Sequence, residues 1–346
     1  MKGTVRIPFL AFRTPRNGWS NSFSLVIQVL PLENFKAVAV RRIFMRVFVA
    51  GATGAIGQPL IAELVRQGHM VTGMTRSAAR ARNLVELGAT VVEASALDAV
   101  AVERALRESG AEVVIDELTS LPKDPKDFPA AGPIDRRLRL EGGGNLFRAA
   151  RANGVWRYIQ QASGFFLKAS NGLATESDGL MLDASPGVAA SARSYAELEE
   201  RLRSGVEMEG VALRYGFFYG PKTWYNPDGA VADQVRRQGQ AVIGKGAGVW
   251  SWIHIDDAAL ATVAALTLPA GIYNIVDDDP SPVGRWLPEF ARWVGAPPPP
   301  QLTEEEALKA AGEEAVFYGT RLHGASNKKA KEAFNFKPRR LEWLNG

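Results

Sequence analysis

The chain has 346 residues, 46% hydrophobic and 23% charged, which suffices for one large or two small domains with a sizeable core and is too apolar for global disorder. Cysteine is absent and histidine occurs three times, which excludes disulfides, zinc–thiolate and iron–sulfur centres and a cysteine nucleophile, and leaves little for a histidine-built metal site. The net charge of +4 divides unevenly: residues 1–44 carry seven Lys/Arg against one acid, Glu33, for +6, while the other 302 residues carry 34 basic and 36 acidic side chains, for −2; the body therefore has no nucleic-acid signature.

Residues 1–44 show no sustained period, apart from a stretch at 23–30 that could form a short strand. The acid-poor, Arg-containing start suits a transit peptide but lacks the compact basic region, apolar run and cleavage site of a secretory signal. A second methionine, Met45, stands directly before a clean apolar run, so the extension reads as a mis-assigned start or a targeting segment outside the fold. The lack of cysteine fits a cytoplasmic protein. No stretch reaches the ~18 apolar residues of a membrane span; the best, 258–275, is broken by Pro269 and Gly271.

From Met45 on, short apolar runs alternate with amphipathic stretches. Strands are expected at 46–50, 70–74, 90–93, 112–116 and 158–162, and helices at 55–67, 78–87, 99–109 and 136–153. The first run has no polar alternation, as in a strand buried on both faces. Leu60, Ile61, Leu64 and Val65 share one helical face, with Pro59 in the first turn and Gly68 at the end. This alternation predicts an α/β fold with a doubly wound parallel sheet and right-handed crossovers. Further on, Asp256 and Asp257 open an expected helix at 258–268. Pro297 to Pro300 read as a stiff connector, and Glu304 to Glu306 open a helix at 304–311.

The sharpest signal is Gly51-Ala52-Thr53-Gly54-Ala55-Ile56-Gly57, which leaves a strand and opens a helix. Gly51 permits the tight turn, Gly54 lets the backbone approach a pyrophosphate, and Gly57 allows close packing of the helix. The helix start then offers free N–H groups to phosphate. About 20 residues on, an acid would bind a ribose 2′-OH; Thr75-Arg76-Ser77 stands there instead, and the Arg76 fork suits a 2′-phosphate. NADP is thus the expected cofactor, with NAD as the alternative. A stacked or solvated Arg76 is the other reading.

The spacing G-x-x-G-x-x-G resembles the short-chain dehydrogenase/reductase superfamily. Gly143-Gly-Asn-Leu-Phe147, Leu213-Arg-Tyr-Gly-Phe-Phe-Tyr-Gly-Pro221, Trp252-Ile-His-Ile-Asp-Asp257, Tyr273-Asn-Ile-Val-Asp-Asp278, Asn327-Lys-Lys-Ala-Lys331 and Phe336-Lys-Pro338 resemble, in order, landmarks of its extended branch, the NAD-dependent epimerase/dehydratase family. The resemblance implies a Rossmann core over 45–213, completed by about 253–276, and a smaller substrate lobe from 214–252 and 277–346. It also implies that Asp98 contacts adenine, although Asp98 equally suits a helix cap.

The family pairs a Ser/Thr with Y-x-x-x-K on a helix, where the lysine stabilises a phenolate of ordinary pKa about 10. Ser163 matches the serine and Tyr195 the tyrosine, but Glu199 stands where the lysine should be. In the other register Tyr195 takes the lysine's place and Ser191 the tyrosine's; either way the dyad is missing. Arg193 points away from Tyr195 on a helix. His254 reads first as structural. Trp224, Tyr225, Trp250 and Trp252 could wall a pocket or fill a core. Two functions remain open: an NAD(P)-dependent oxidoreductase or epimerase/dehydratase-like enzyme acting on a small carbonyl, hydroxyl or sugar-like substrate, or a non-catalytic NAD(P)-binding sensor. A small-molecule partner is expected, without nucleic acid or membrane, and there is room for a homodimer.

Overall fold

The computed structural model describes residues 44–169, 171–204 and 207–344; the expectations for the basic extension, including the strand at 23–30, lie outside them. Six strands follow one another as β1 (Arg46–Ala50), β2 (Met70–Thr75), β3 (Thr90–Glu93), β4 (Val113–Asp116), β5 (Arg157–Ser163) and β6 (Glu209–Tyr215). With the strand Gly271–Ile275 they make one seven-stranded sheet, ordered β3-β2-β1-β4-β5-β6 and then Gly271–Ile275. Every pairing is parallel. The expected α/β doubly wound sheet is therefore the one observed, and the ends of most strands match to a residue.

Burial on both faces explains the apolar runs: β4 and β5 are buried throughout. Helix α1 (Gly57–Arg66) lays Leu60, Ile61 and Leu64 on one face of the sheet. Helix α2 (Ala78–Glu86) follows β2. Helix α3 (Ala99–Ser109) lays Val102, Ala105 and Leu106 on the opposite face. Strand order reverses between β1 and β4, so the crevice at a topological switch point opens beyond the carboxyl ends of these two strands.

Beyond β4 the helical stretch begins earlier than expected. Helix α4 (Phe128–Arg137) runs through a π-helical turn (Leu138–Gly142) into α5 (Gly143–Ala152). Pro129 and Pro133 hid this start; a proline in the first turn removes an N–H that has no partner anyway. The π turn is held from α6 (Pro186–Arg203), whose Arg201 donates to the carbonyls of Leu140 at 2.8 Å and Arg139 at 3.5 Å.

A separate aromatic cluster forms the third core. Trp252 is fully buried; Tyr225, Trp286 and Trp343 pack on it edge to face, Trp250 lies tilted against it, and Phe290 packs edge to face on Trp343. Three of the four aromatics flagged in sequence thus fill a core. Trp224 is the exception, half-buried and donating from Nε1 to the Pro122 carbonyl at 3.0 Å. The helix expected at 304–311 continues to Thr320 across a kink at Gly312.

Gly51 has φ +83°, and a Cβ there would lie 2.3 Å from the Glu117 carbonyl oxygen. Gly51→Ala is expected to cost at least about 2 kcal/mol through combined strain and overpacking. Gly154→Ala, also at positive φ but with nothing within 4 Å of its Cβ, should lose only the strain, about 1 kcal/mol. Urea unfolding of both variants checks the difference.

Candidate active site

The loop between β1 and α1 is built from its glycines. A Cβ on Gly57 would meet the carbonyl oxygens of Ala52 at 2.4 Å and Gly51 at 2.5 Å, so its bareness serves the loop itself before the helix–sheet packing. Gly54 differs: it is exposed, its amide donates to Gly51 O at 2.9 Å, and its Cβ would meet only that oxygen, at 3.1 Å. The loop therefore presents a bare crest. Thr53 and Ala55 are half-buried beside it and Ile56 is buried. Helix α1 begins at Gly57 rather than at residue 55, with no acidic residue in its first turn and no side-chain cap. Its first amides are thus left for an external anion, and the residues present fit a diphosphate.

Thr75 ends β2, Arg76 and Ser77 follow it, and with Thr53 the three line a cavity of about 260 Å³. Arg76 also lines a second cavity, of about 290 Å³, with Leu97, Pro133, Ile134 and Arg137. This more apolar slot continues the first across the guanidinium. Arg76 is exposed and forms no hydrogen bond or ion pair among the described residues. Asp98 borders neither cavity. Its Oδ1 accepts the amides of Val100 at 3.1 Å and Ala101 at 3.0 Å, the capping alternative. The motif at 143–147 frames the slot from behind: Asn145 Nδ2 donates to the Ala96 carbonyl at 2.9 Å. A Cβ on Gly143 would lie 2.9 Å from Asp116 Oδ2.

Ser163 ends β5, 1% exposed, with its Oγ accepting the Phe165 amide at 3.4 Å. Tyr195 stands on α6 beside Phe166, and the Arg139 guanidinium from the π turn lies 5.3 Å from its ring centre. Burial pushes the phenol above its ordinary 10, against the pull of Arg139. Arg139 is itself fixed by Asp135 at 2.7 Å and faces Gln161 Oε1 at 3.4 Å. Glu199 turns away to a buried bidentate pair with Arg214, at 2.6 and 2.9 Å, because Arg214 on β6 would otherwise be a buried lone charge. Arg193 is exposed and donates to the Leu182 carbonyl. His254 is structural: its Nδ1 accepts the Asp256 amide at 3.1 Å at the start of the helix Ile255–Ala264.

Sequence reasoning passed over two carboxylates at the end of β4. Asp116 accepts from Tyr158 Oη at 2.7 Å and from the Leu118 amide at 3.1 Å, and burial raises its pKa. Glu117 lies against the glycine loop. Its Oε1 accepts from Tyr215 Oη at 3.0 Å, while Oε2 is buried without a partner. Burial pushes Glu117 up to about 8. Two acids closing an apolar strand were visible in the sequence; their burial was not. Among the described residues no cluster of His, Asp and Glu could hold a metal ion, and no helix is long and apolar enough to cross a membrane.

The chain matches the NAD dependent epimerase/dehydratase family over residues 47–276. It is 41% identical over 305 residues to a Streptomyces protein named 3-diazoavenalumate denitrifying reductase, a match spanning 87% of this chain and 99% of that one. Among solved structures it superposes on the UDP-glucose 4-epimerase of Thermus thermophilus in complex with NAD, with TM-score 0.67, 23% identity, and coverage of 86% of this chain and 96% of that one. It superposes equally on a dTDP-glucose 4,6-dehydratase from Streptomyces venezuelae with NAD bound, with TM-score 0.67, 19% identity, and coverage of 86% and 93%.

Glu117 supplies a pH test. Its folded pKa, about 8, exceeds the ordinary 4.5. The stability this gives is complete below about 4.5, shrinks as pH rises, and is gone above about 8. Glu117→Gln keeps the shape and an acceptor for Tyr215. At pH 8.5 the variant should be more stable than wild type by on the order of 2–4 kcal/mol. At pH 5 the two should agree within about 1 kcal/mol. Thermal unfolding across pH measures both; a constant gap would mean that Glu117 does not titrate in this window.

Proposed function

The chain belongs to the NAD dependent epimerase/dehydratase family and is an enzyme of the extended short-chain dehydrogenase type, and on that premise we propose that it is an NADPH-dependent reductase acting on a small, strongly electrophilic arene of the diazo type. Near-full-length identity to a named reductase supports turnover over the sensor reading. In this reading Gly51, Thr53, Gly54, Ala55, Ile56 and Gly57 hold the diphosphate, and Arg76 with Ser77 takes the 2′-phosphate. The slot beside Leu97 and Ile134 takes the adenine. The aromatic cluster is the core of a substrate lobe built from 214–252 and 277–346. When bound, the reduced nicotinamide supplies hydride.

One observation carries the choice of chemistry. No lysine stands four positions after Tyr195 on its helix; Glu199 stands there, tied to Arg214. A carbonyl needs a proton donor at oxygen as hydride reaches carbon. An arenediazonium does not: hydride at its terminal nitrogen gives a neutral aryldiazene. That diazene loses dinitrogen while its N–H hydrogen ends on the ring carbon. The cation carries the electrophilicity, and no protein acid is consumed. Ser163 and Tyr195 then serve as hydrogen-bond donors that orient the substrate, a role that suits a phenol kept protonated by burial.

A second reading, reduction of a small carbonyl with Tyr195 as the acid, draws support from Arg139, the cation nearest the Tyr195 ring. The two separate cleanly. NADPH oxidation is followed with an arenediazonium salt, an aromatic aldehyde and a nucleotide sugar, each against an enzyme-free blank. We expect one NADPH oxidised per dinitrogen released from the diazonium, at a rate that does not track protonation of an enzyme group. Turnover of the aldehyde alone, abolished by Tyr195→Phe, would install the second reading.

Cofactor choice is tested by Arg76→Ala. Loss of a charged contact should weaken NADPH about ten- to a hundredfold and leave NADH nearly unchanged. Fluorescence titration measures both; equal binding of the two cofactors by wild type would remove Arg76 as discriminator.

A further inference from the structure

A loop that follows β6 reaches the first turn of α1. After β6 the chain forms a short strand, β7 (Phe217–Tyr219), and turns at Gly220-Pro221-Lys222-Thr223. The turn is fixed locally: the Thr223 amide and Oγ1 both donate to the Gly220 carbonyl, at 3.2 and 2.8 Å. Lys222 sits in the left-handed region at φ 66°, which is unfavourable for a residue with a side chain. Its Nζ donates to Oε1 of Gln58, the second residue of α1. Two residues on, Trp224 Nε1 donates to the Pro122 carbonyl at 3.0 Å, in the segment that follows β4. The turn therefore ties both lips of the switch-point crevice, one behind β1 and one behind β4.

The placement of Lys222 is electrostatically odd. Its ammonium is exposed and pairs with no carboxylate among the described residues. It is held at the positive end of α1, whose first turn has no acid. A cation at a helix N-terminus is unfavourable by itself. The arrangement becomes favourable when an anion lies between the ammonium, the α1 amides and the bare crest at Gly54.

We propose that Lys222 is a cofactor-binding residue that grips the diphosphate of the dinucleotide from the substrate side, exchanging its bond to Gln58 for the phosphate oxygens. This rests on the dinucleotide reading above and adds a second cation, with a different target, to Arg76. Lys222 faces the diphosphate that NADPH and NADH share; Arg76 faces the 2′ position where they differ.

The test is equilibrium titration of the full chain with NADPH and with NADH at two salt concentrations, comparing wild type with K222Q, K222R and R76A. K222Q should weaken both cofactors about tenfold, the scale of one charged hydrogen bond, and flatten the salt dependence of both. K222R should stay within about threefold of wild type. R76A should affect NADPH alone. Lys222 is exposed, so the variants should melt at the wild-type temperature, which thermal unfolding checks. Unchanged affinities in K222Q, or a loss confined to NADPH, would overturn the inference while leaving the cofactor assignment intact. Wild type that binds neither cofactor would overturn the dinucleotide reading itself, and this inference with it.

Discussion

At the end of β1 the backbone of Gly51 lies against the backbone of Glu117 at the end of β4, with no room for even one methyl group. This contact closes the two central strands where the sheet order reverses. It forces the chain into a left-handed turn, which sends it over the crest at Gly54 and into α1. The bare crest, the uncapped helix start and the cavity reaching Arg76 follow from that turn. Function here depends on a steric constraint inside the sheet before it depends on any charged side chain.

The same closeness draws polar groups into the core. Asp116 and Glu117 stand side by side where apolar residues would pack more cheaply, and each needs partners from several elements. Asp116 takes Tyr158 from β5 and the Leu118 amide; Glu117 takes Tyr215 from β6, whose hydroxyl also meets Thr262 at 2.6 Å. Arg201 approaches Asp116 while holding the carbonyls of the π turn. The π turn in turn carries Arg139 to Tyr195. These bonds link β4 to both layers of helices, so the floor of the crevice and the wall beside Tyr195 are set by one connected network.

The sheet was legible because its strands are buried on both faces and its helices on one, which writes continuous apolar runs and a 3.6-residue period into the chain. The glycine loop was legible because three small residues at fixed spacing have few other uses. What stayed hidden depended on distant partners. The pairing of Glu199 with Arg214 reverses the meaning of a carboxylate near Tyr195, and the cation at Tyr195 comes from another helix. Pro129 and Pro133 masked the first turns of α4. The bridge from Lys222 to Gln58 joins segments with no common pattern, so only the folded chain brings them together. The domain boundaries and the roles of Ser163, Tyr195, Arg76 and Asp98 rest on the functional reading above.

In the proposed reaction hydride transfer proceeds without a protein acid. Its most direct test is the single-turnover rate of NADPH oxidation by an arenediazonium, measured from pH 6 to 9 for wild type and for Tyr195→Phe. A flat profile is expected, with the variant within about tenfold of wild type. A rate that falls on one side of the range and drops by the ~100-fold or more typical of a lost general acid would contradict it.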